Sequence, residues 1–313
     1  MASHDPEKGA ATPHDPEEAA ARGAPALGAI HPETSMGPVH LTVSDLERSV
    51  TFYERVIGMT LRQQSDGSAT LGCDTDLLVL GEHPGAPPAD GYCGLFHFAL
   101  LVPTRIDLAR WLAHAARDRV PLTGLSDHYV SEAIYLDDPD GHGIEIYWDR
   151  PRAVWEGRVA ERLTTLPLDS RDLLGAFGDA PAERFEGLPG ATLIGHVHLR
   201  VAAVGPSVRF YRDVLGFALM AQLGSSAAFL SAGGYHHHLG ANIWESRGAD
   251  RAPPGTARLE LATIVLPDPE AQDRLLGRVA AAGYEQETTP SGVRVRDPSG
   301  NPVELRIGSA GSR

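Results

Sequence analysis

The chain is almost devoid of lysine. Its 27 lysine and arginine residues include a single lysine, Lys8, close to the N-terminus. The rest of the chain therefore has no amine for Schiff-base chemistry. Cysteine is also scarce, because Cys73 and Cys93 are too few for a disulfide framework or a thiolate zinc site. These shortages exclude lysine-based covalent chemistry and thiolate zinc sites, and the scarcity of cysteine fits a reducing cytoplasm.

Positive charge and long apolar runs are missing as well. The net charge is −14, which offers no electrostatic surface for nucleic acid or for an anionic membrane. No stretch reaches the ~18 uninterrupted apolar residues of a membrane span, and the N-terminus lacks the pattern of a secretion signal. We therefore predict a soluble, cytoplasmic protein that binds neither nucleic acid nor membranes. What the sequence does have is histidine, 14 in all.

The chain repeats itself after a biased N-terminal segment. Residues 1–36 are rich in Ala, Pro, Glu and Gly without apolar periodicity, which predicts a disordered tail. Residues 39–43 (VHLTV) recur 158 positions later as residues 197–201 (VHLRV), each followed by a Phe-Tyr pair. The turn at 138–141 (DPDG) recurs as 297–300 (DPSG). The chain is therefore a tandem duplication.

Each half divides again into two units. The pattern within a unit is a short alternating strand, an amphipathic helix and three short strands separated by turns. We therefore predict an α+β fold with four βαβββ units in two tandem domains, at residues 37–150 and 191–308. Residues 151–190 form a connector with a short helical stretch around 169–177.

These patterns resemble the vicinal oxygen chelate superfamily, which contains glyoxalases, bleomycin-resistance proteins and type I extradiol dioxygenases. Residues 195–199 (GHVHL), 233–238 (GGYHHH) and 138–151 (DPDGHGIEIYWDRP) are similar to its catechol-2,3-dioxygenase branch. The resemblance implies an Fe(II)-dependent enzyme, with Mn(II) as the second candidate. It implies a catechol-like or hydroquinone-like diol and O2 as substrates, and it is compatible with a homo-oligomer.

In this superfamily the metal ligands lie on the first and fourth strands of paired units. Two imidazoles and one carboxylate leave positions open for a diol and for O2. The first unit has Pro38 at a ligand position, whereas the second and third units offer His97, Glu145 and His196. We therefore predict a site between units two and three.

The familiar arrangement of these enzymes, with the site inside the C-terminal domain, gives a second candidate set. That set consists of His196, Glu260 and Glu304, one imidazole with two carboxylates. A buried carboxylate without a partner is costly, and a metal would supply the partner for Glu145 between Ile144 and Ile146.

The resemblance also implies catalytic residues around the metal. His128 and Tyr135 would hydrogen-bond substrate oxygens, and His237 would move protons. Alternation along a strand separates His237 from His236 and His238, and motif alignment favours His237 without deciding between the three. His198, which has a counterpart in the other half, is interpreted as structural.

Two other functions use the same scaffold. One is a glyoxalase-like, metal-dependent isomerase or lyase. The other is a non-enzymatic drug-binding resistance protein, which needs no metal ligands, so the intact set of His97, Glu145 and His196 argues against it.

Overall fold

All four predicted units are present in the computed structural model, which describes residues 28–177 and 185–308. The first unit comprises β1 (Ser35–Val43), α1 (Leu46–Phe52), β2 (Thr60–Ser65), β3 (Ser68–Gly72) and β4 (Asp76–Glu82). The second comprises β5 (Gly94–Leu101), α2 (Arg105–Asp118), β6 (Gly124–Asp127), β7 (Ser131–Asp137) and β8 (Gly143–Asp149). The connector contains α3 (Arg152–Trp155), α4 (Val159–Arg162), β9 (Leu166–Pro167) and α5 (Ser170–Leu174). The third unit comprises β10 (Leu193–Arg200), α6 (Val204–Val208), β11 (Ala218–Leu223), β12 (Ala227–Ser231) and β13 (Leu239–Asn242). The fourth comprises β14 (Leu259–Leu266), α7 (Pro269–Ala281), β15 (Glu287–Thr288), β16 (Val293–Arg296) and β17 (Pro302–Ile307).

Ordered packing begins before residue 37, the predicted start of the first domain. Ile30 is buried and its backbone N–H donates to the carbonyl oxygen of Gly216, and β1 already begins at Ser35. Residues 1–27 of the predicted tail lie outside the described residues. Ile30 and Met36 both pack in the hydrophobic core, so the last part of the predicted tail belongs to the folded chain. These two apolar residues are isolated in the sequence and therefore show no periodicity.

The strands form two sheets, and each sheet combines one unit from each half. Sheet I has the order β15-β16-β17-β14-β1-β4-β3-β2, which joins units four and one. Sheet II has the order β11-β12-β13-β10-β5-β8-β7-β6-β9, which joins units three and two and adds the connector strand. The central contacts are antiparallel pairs, β1 with β14 and β5 with β10. The sequence repeat therefore groups unit one with two and unit three with four, whereas the sheets group unit one with four and unit two with three.

Helix α2 fastens the second unit to the first. It begins at a capping box, in which the Thr104 side chain and the Asp107 side chain each bond the other's backbone N–H. Its buried face includes Trp111, whose indole N–H donates to the carbonyl oxygen of Ile57 at 3.1 Å. Across the described residues, no helix combines the length and apolarity needed to cross a bilayer.

The repeated Phe-Tyr and Asp-Pro motifs form structural ties between the two units of each half. The Tyr53 hydroxyl donates to Oδ2 of Asp138 at 2.9 Å, and the Tyr211 hydroxyl donates to Oδ2 of Asp297 at 3.2 Å. Burial and the neighbouring carboxylate raise the pKa of Tyr53 well above its usual value, so its hydroxyl is the donor. Oδ1 of Asp138 accepts two backbone N–H groups of the turn that precedes β8. The motifs therefore position the strand that carries Glu145.

We expect Tyr53→Phe to lower the free energy of unfolding by about 1–3 kcal/mol, because it leaves the buried Oδ2 of Asp138 without its hydrogen-bond donor. Tyr211→Phe should cost less, since Asn301 Nδ2 also donates to Oδ2 of Asp297 at 3.1 Å. Urea denaturation of both variants measures the difference. Equal losses, or a larger loss for Tyr211→Phe, would contradict this account of the ties.

Candidate metal centre and substrate cavity

Three adjacent strands of sheet II bring His97, Glu145 and His196 to one face. His196 on β10 lies opposite Ala99 on β5, and Ala99 in turn lies opposite Glu145 on β8. His97 is two residues before Ala99 and so shares its face. Ala99 is fully buried between the two flanking ligands, and its single methyl group leaves room between them.

The donor atoms of these residues form a tight triangle. Nε2 of His97 and Nε2 of His196 are 3.3 Å apart, and each lies 3.1 Å from Oε2 of Glu145. In the described part of the chain, this is the one group of three such side chains with ligand atoms within 4.8 Å of one another. Metal bonds of about 2.0–2.2 Å at right angles place neighbouring donors about 3 Å apart. The triangle therefore fits a divalent transition metal.

The charge states also suit metal binding. Burial lowers the pKa of His196 to about 4, so its imidazole is neutral at physiological pH. Burial raises the pKa of Glu145, but its interactions with His196 and His97 outweigh burial and hold that pKa well below its usual range. Metal binding requires a neutral imidazole and an ionised carboxylate. The buried Glu145 charge is left with two imidazoles as partners, an arrangement that a cation would complete.

The alternative set of His196, Glu260 and Glu304 is not brought together. His196 lies in sheet II, whereas Glu260 and Glu304 lie on β14 and β17 of sheet I. Glu304 accepts the hydroxyls of Thr289 at 2.7 Å and Ser291 at 2.9 Å. Glu260 pairs with a neighbouring arginine at 2.8 Å. Both carboxylates therefore have partners without a metal.

A cavity of about 750 Å³ opens beside the triangle. His97 and Glu145 line it, and so do the three predicted catalytic residues, His128, Tyr135 and His237. These residues, predicted from two separate units, therefore border the same cavity. The roles of these residues as ligands and catalysts remain predictions.

The hydrogen bonds of His128 define its tautomer. Nδ1 lies 2.7 Å from the carbonyl oxygen of Thr164, which can only accept, so Nδ1 carries the proton. In the neutral ring Nε2 then accepts the hydroxyl of Tyr135, 2.7 Å away. Burial and the Glu145 charge raise the pKa of Tyr135 well above its usual value, so the phenol keeps its proton. His128 and Tyr135 therefore act as a pair.

A second series of hydrogen-bonded side chains orients His237. Oδ1 of Asp149 lies 2.8 Å from Nε2 of His236, and Nδ1 of His236 lies 2.7 Å from Nδ1 of His237. A carboxylate can only accept, so a neutral His236 donates from Nε2 and accepts from Nδ1–H of His237. Nε2 of His237 then carries a free lone pair. Burial lowers the pKa of His237 well below its usual value, which keeps this ring neutral.

Several of these residues escaped the sequence analysis. Thr164 belongs to the connector, and the roles of Asp149 and His236 follow only from their contacts. His198, interpreted as structural, lines the cavity with its ring centroid 5.0 Å from that of His97. A Cβ on Gly240, its partner on β13, would lie 2.7 Å from the His198 ring. That glycine was the one available signal, and it has meaning only once the register is known.

A family model and a sequence relative each match most of the chain. The family model of the Glyoxalase/Bleomycin resistance protein/Dioxygenase superfamily matches residues 35–146 and 193–305. A protein of Bacillus subtilis (strain 168) named catechol-2,3-dioxygenase is 44% identical over 281 residues, which cover 87% of this chain and 96% of that protein. Among solved structures, a Bacillus subtilis protein has a TM-score of 0.61 at 18% identity, covering 91% of this chain and 86% of that one. Glyoxalase I from Zea mays has a TM-score of 0.53 at 18% identity, covering 88% and 92%.

Proposed function

Because this chain belongs to the glyoxalase/bleomycin resistance protein/dioxygenase superfamily, we propose that it is a metal-dependent extradiol dioxygenase. Its substrates would be O2 and an aromatic diol, catechol-like or hydroquinone-like, whose ring is opened beside the oxygens. The observation that carries the proposal is the triangle of His97, Glu145 and His196 on a cavity shared with His128, Tyr135 and His237. The relative named catechol-2,3-dioxygenase supports it.

His97, Glu145 and His196 would hold the metal, for which Fe(II) is the first candidate and Mn(II) the second. Two imidazoles and one carboxylate with open positions are typical of non-haem Fe(II) oxygenases. The metal, when bound, supplies a redox-active Lewis acid at which a diol and O2 meet. An all-protein Mg²⁺ or Ca²⁺ site does not suit this donor set, since those ions prefer oxygen ligands.

The side chains of the chain itself would orient the diol and move protons. Nε2 of His237 has a lone pair that can take a proton from a diol hydroxyl and return it later. While the Tyr135 hydroxyl donates to His128, its oxygen can accept a hydrogen bond from a diol hydroxyl. To stabilise charge that develops on a substrate oxygen, the O–H would turn from His128 to that oxygen. Both groups are fixed by neighbours before substrate arrives, which reduces the cost of ordering them.

We also place the enzyme in the cytoplasm. Cys73 and Cys93 are both free in the structure. Two unpaired cysteines in a chain of this length are typical of a reducing compartment.

The test is oxygen uptake by protein loaded anaerobically with Fe(II), and separately with Mn(II), on a panel of catechols and hydroquinones. We expect consumption of one O2 per diol and the appearance of a ring-opened product in the absorption spectrum. Absence of uptake with every diol would contradict the proposal. Conversion of a hemithioacetal by the same protein would replace it with the isomerase function.

Two variants locate the site in the same assay. His97→Ala should lose bound metal and at least about 100-fold in activity, because a ligand is removed. Its counterpart in the fourth unit is Glu260, so Glu260→Ala serves as the matched control. This control variant should keep its bound metal and its activity. The reverse result would place the metal in sheet I.

A further inference from the structure

The cavity is much larger than a single aromatic ring requires. Its volume is about 750 Å³, whereas a cavity of about 150 Å³ accommodates benzene. A diol ring placed at the triangle therefore leaves most of the space to be filled by a substituent or by water. The lining around that remaining space shows which substituent fits.

One wall of the remaining space is a continuous set of rings, here called the aromatic wall: Phe96, His198, Phe229 and Trp244. The ring centroid of His198 is 5.0 Å from that of His97, 5.6 Å from Phe229 and 5.5 Å from Trp244. The Phe96 centroid is 5.2 Å from that of Trp244, which is 49% exposed at the far end. The wall thus runs from a proposed metal ligand to solvent, at spacings typical of aromatic packing.

Aliphatic side chains complete the lining of this space. Val130, Leu163 and Leu223 all line the cavity, and Leu163 comes from the connector. An apolar group placed among them and the aromatic wall would exchange water for apolar contacts on several sides.

The charges in the cavity disfavour an anionic substituent. Among the lining residues that the structure describes there is neither lysine nor arginine, whereas Asp137 and Glu245 add carboxylates. A substrate carboxylate would lose its hydration without gaining a cation. Glu245 already pairs with Arg200 at 3.4 Å and is largely exposed, so it offers little to a substrate ammonium group either.

We propose that the preferred substrate is a catechol that carries a large, uncharged, apolar substituent, such as an aryl group, packed on the aromatic wall. This inference rests on the proposed function, since it assumes that the diol lies at His97, Glu145 and His196. It adds a substrate class and a selectivity against carboxylated catechols.

The test separates binding from turnover on the metal-loaded full-length protein. Anaerobic calorimetry compares the Kd values of catechol, phenyl-substituted catechols, a carboxylate-substituted catechol and an aminoethyl-substituted catechol, and oxygen uptake gives kcat/KM for the same set. Burial of a phenyl group should favour the phenyl-substituted compounds over catechol by about 10- to 100-fold. The carboxylated compound should be the weakest ligand.

A variant pair locates the selectivity. Trp244→Ala should reduce the phenyl-to-catechol ratio of kcat/KM by about 5- to 10-fold, because part of the aromatic wall is lost. Tyr92 is a partly exposed aromatic residue outside the cavity lining, and Tyr92→Ala should leave the ratio unchanged.

The outcomes distinguish the two proposals. Turnover of all diols with equal Kd values, or the tightest binding by the carboxylated or aminoethyl compound, would overturn the substrate class and leave the dioxygenase function standing. Tight binding of phenyl-substituted catechols without oxygen uptake would support the substrate class and overturn the dioxygenase function.

Discussion

Glu145→Gln should abolish metal binding and ring cleavage while the protein stays folded. Gln has nearly the shape of Glu, but it removes the one anionic donor of the triangle, whose oxygen lies 3.1 Å from both imidazole nitrogens. Loss of an outer partner of a metal ligand already costs about 10- to 100-fold in metal affinity, so loss of the ligand itself should cost more. We expect the rate of oxygen uptake to fall by more than about 1,000-fold. Metal analysis of the same variant should show that the bound metal is lost.

The matched control is Glu304→Gln. Glu304 stands at the equivalent position of the duplicated half, in an equally buried strand, yet two hydroxyl-bearing side chains satisfy it. This variant should keep its metal and its activity. Loss of metal in Glu304→Gln, with retention in Glu145→Gln, would move the centre to the C-terminal domain and refute the site between units two and three.

His237→Asn should lower kcat by about 100- to 10,000-fold without loss of metal. His237 lines the cavity, and the contact of its Nδ1 with His236 leaves the lone pair of Nε2 for proton transfer. A proton-transfer group of this kind contributes about that factor. Asn has no basic nitrogen that can accept a proton from the diol. Steady-state oxygen uptake gives kcat and KM, and metal analysis shows that the triangle is intact.

His238→Asn provides the comparison within the same run of three histidines. Nδ1 of His238 accepts the backbone N–H of Ala232 at 3.2 Å, and an asparagine oxygen can take over that bond. His238 is absent from the cavity lining, so this variant should keep kcat within a few-fold of the wild type. The three histidines precede β13 rather than lying in it, so the expected alternation along a strand does not apply to them. A larger loss in His238→Asn than in His237→Asn would show that this segment presents His238 to the substrate.

The four units and the members of the triangle could be predicted because each leaves a local trace. Repeated motifs mark the units, and Pro38 and Glu260 mark the positions where a ligand histidine is missing. The pairing of unit one with unit four could not be predicted, because it depends on strand register between segments far apart in the sequence.

The orienting contacts were hidden for the same reason. The tautomer of His128 depends on Thr164 in the connector, and that of His237 depends on Asp149 on β8. His198 occupies a position that recurs in both halves, which favoured a structural interpretation. Only the pairing of β10 with β5, which sets His198 opposite His97, shows that it borders the cavity.

The sharing of sheets between halves also sets an order of assembly during synthesis. Sheet II, the triangle and the whole cavity lining are made from residues up to 245, so this part of the protein can close before the fourth unit is translated. Strand β1 waits longer, because Val39 pairs with Ala262, 223 positions downstream (262 minus 39). Until then β1 is an unpaired sheet edge, which is the kind of surface that aggregates. Unit one, which holds no proposed metal ligand, therefore keeps this sheet edge open until the fourth unit has been made.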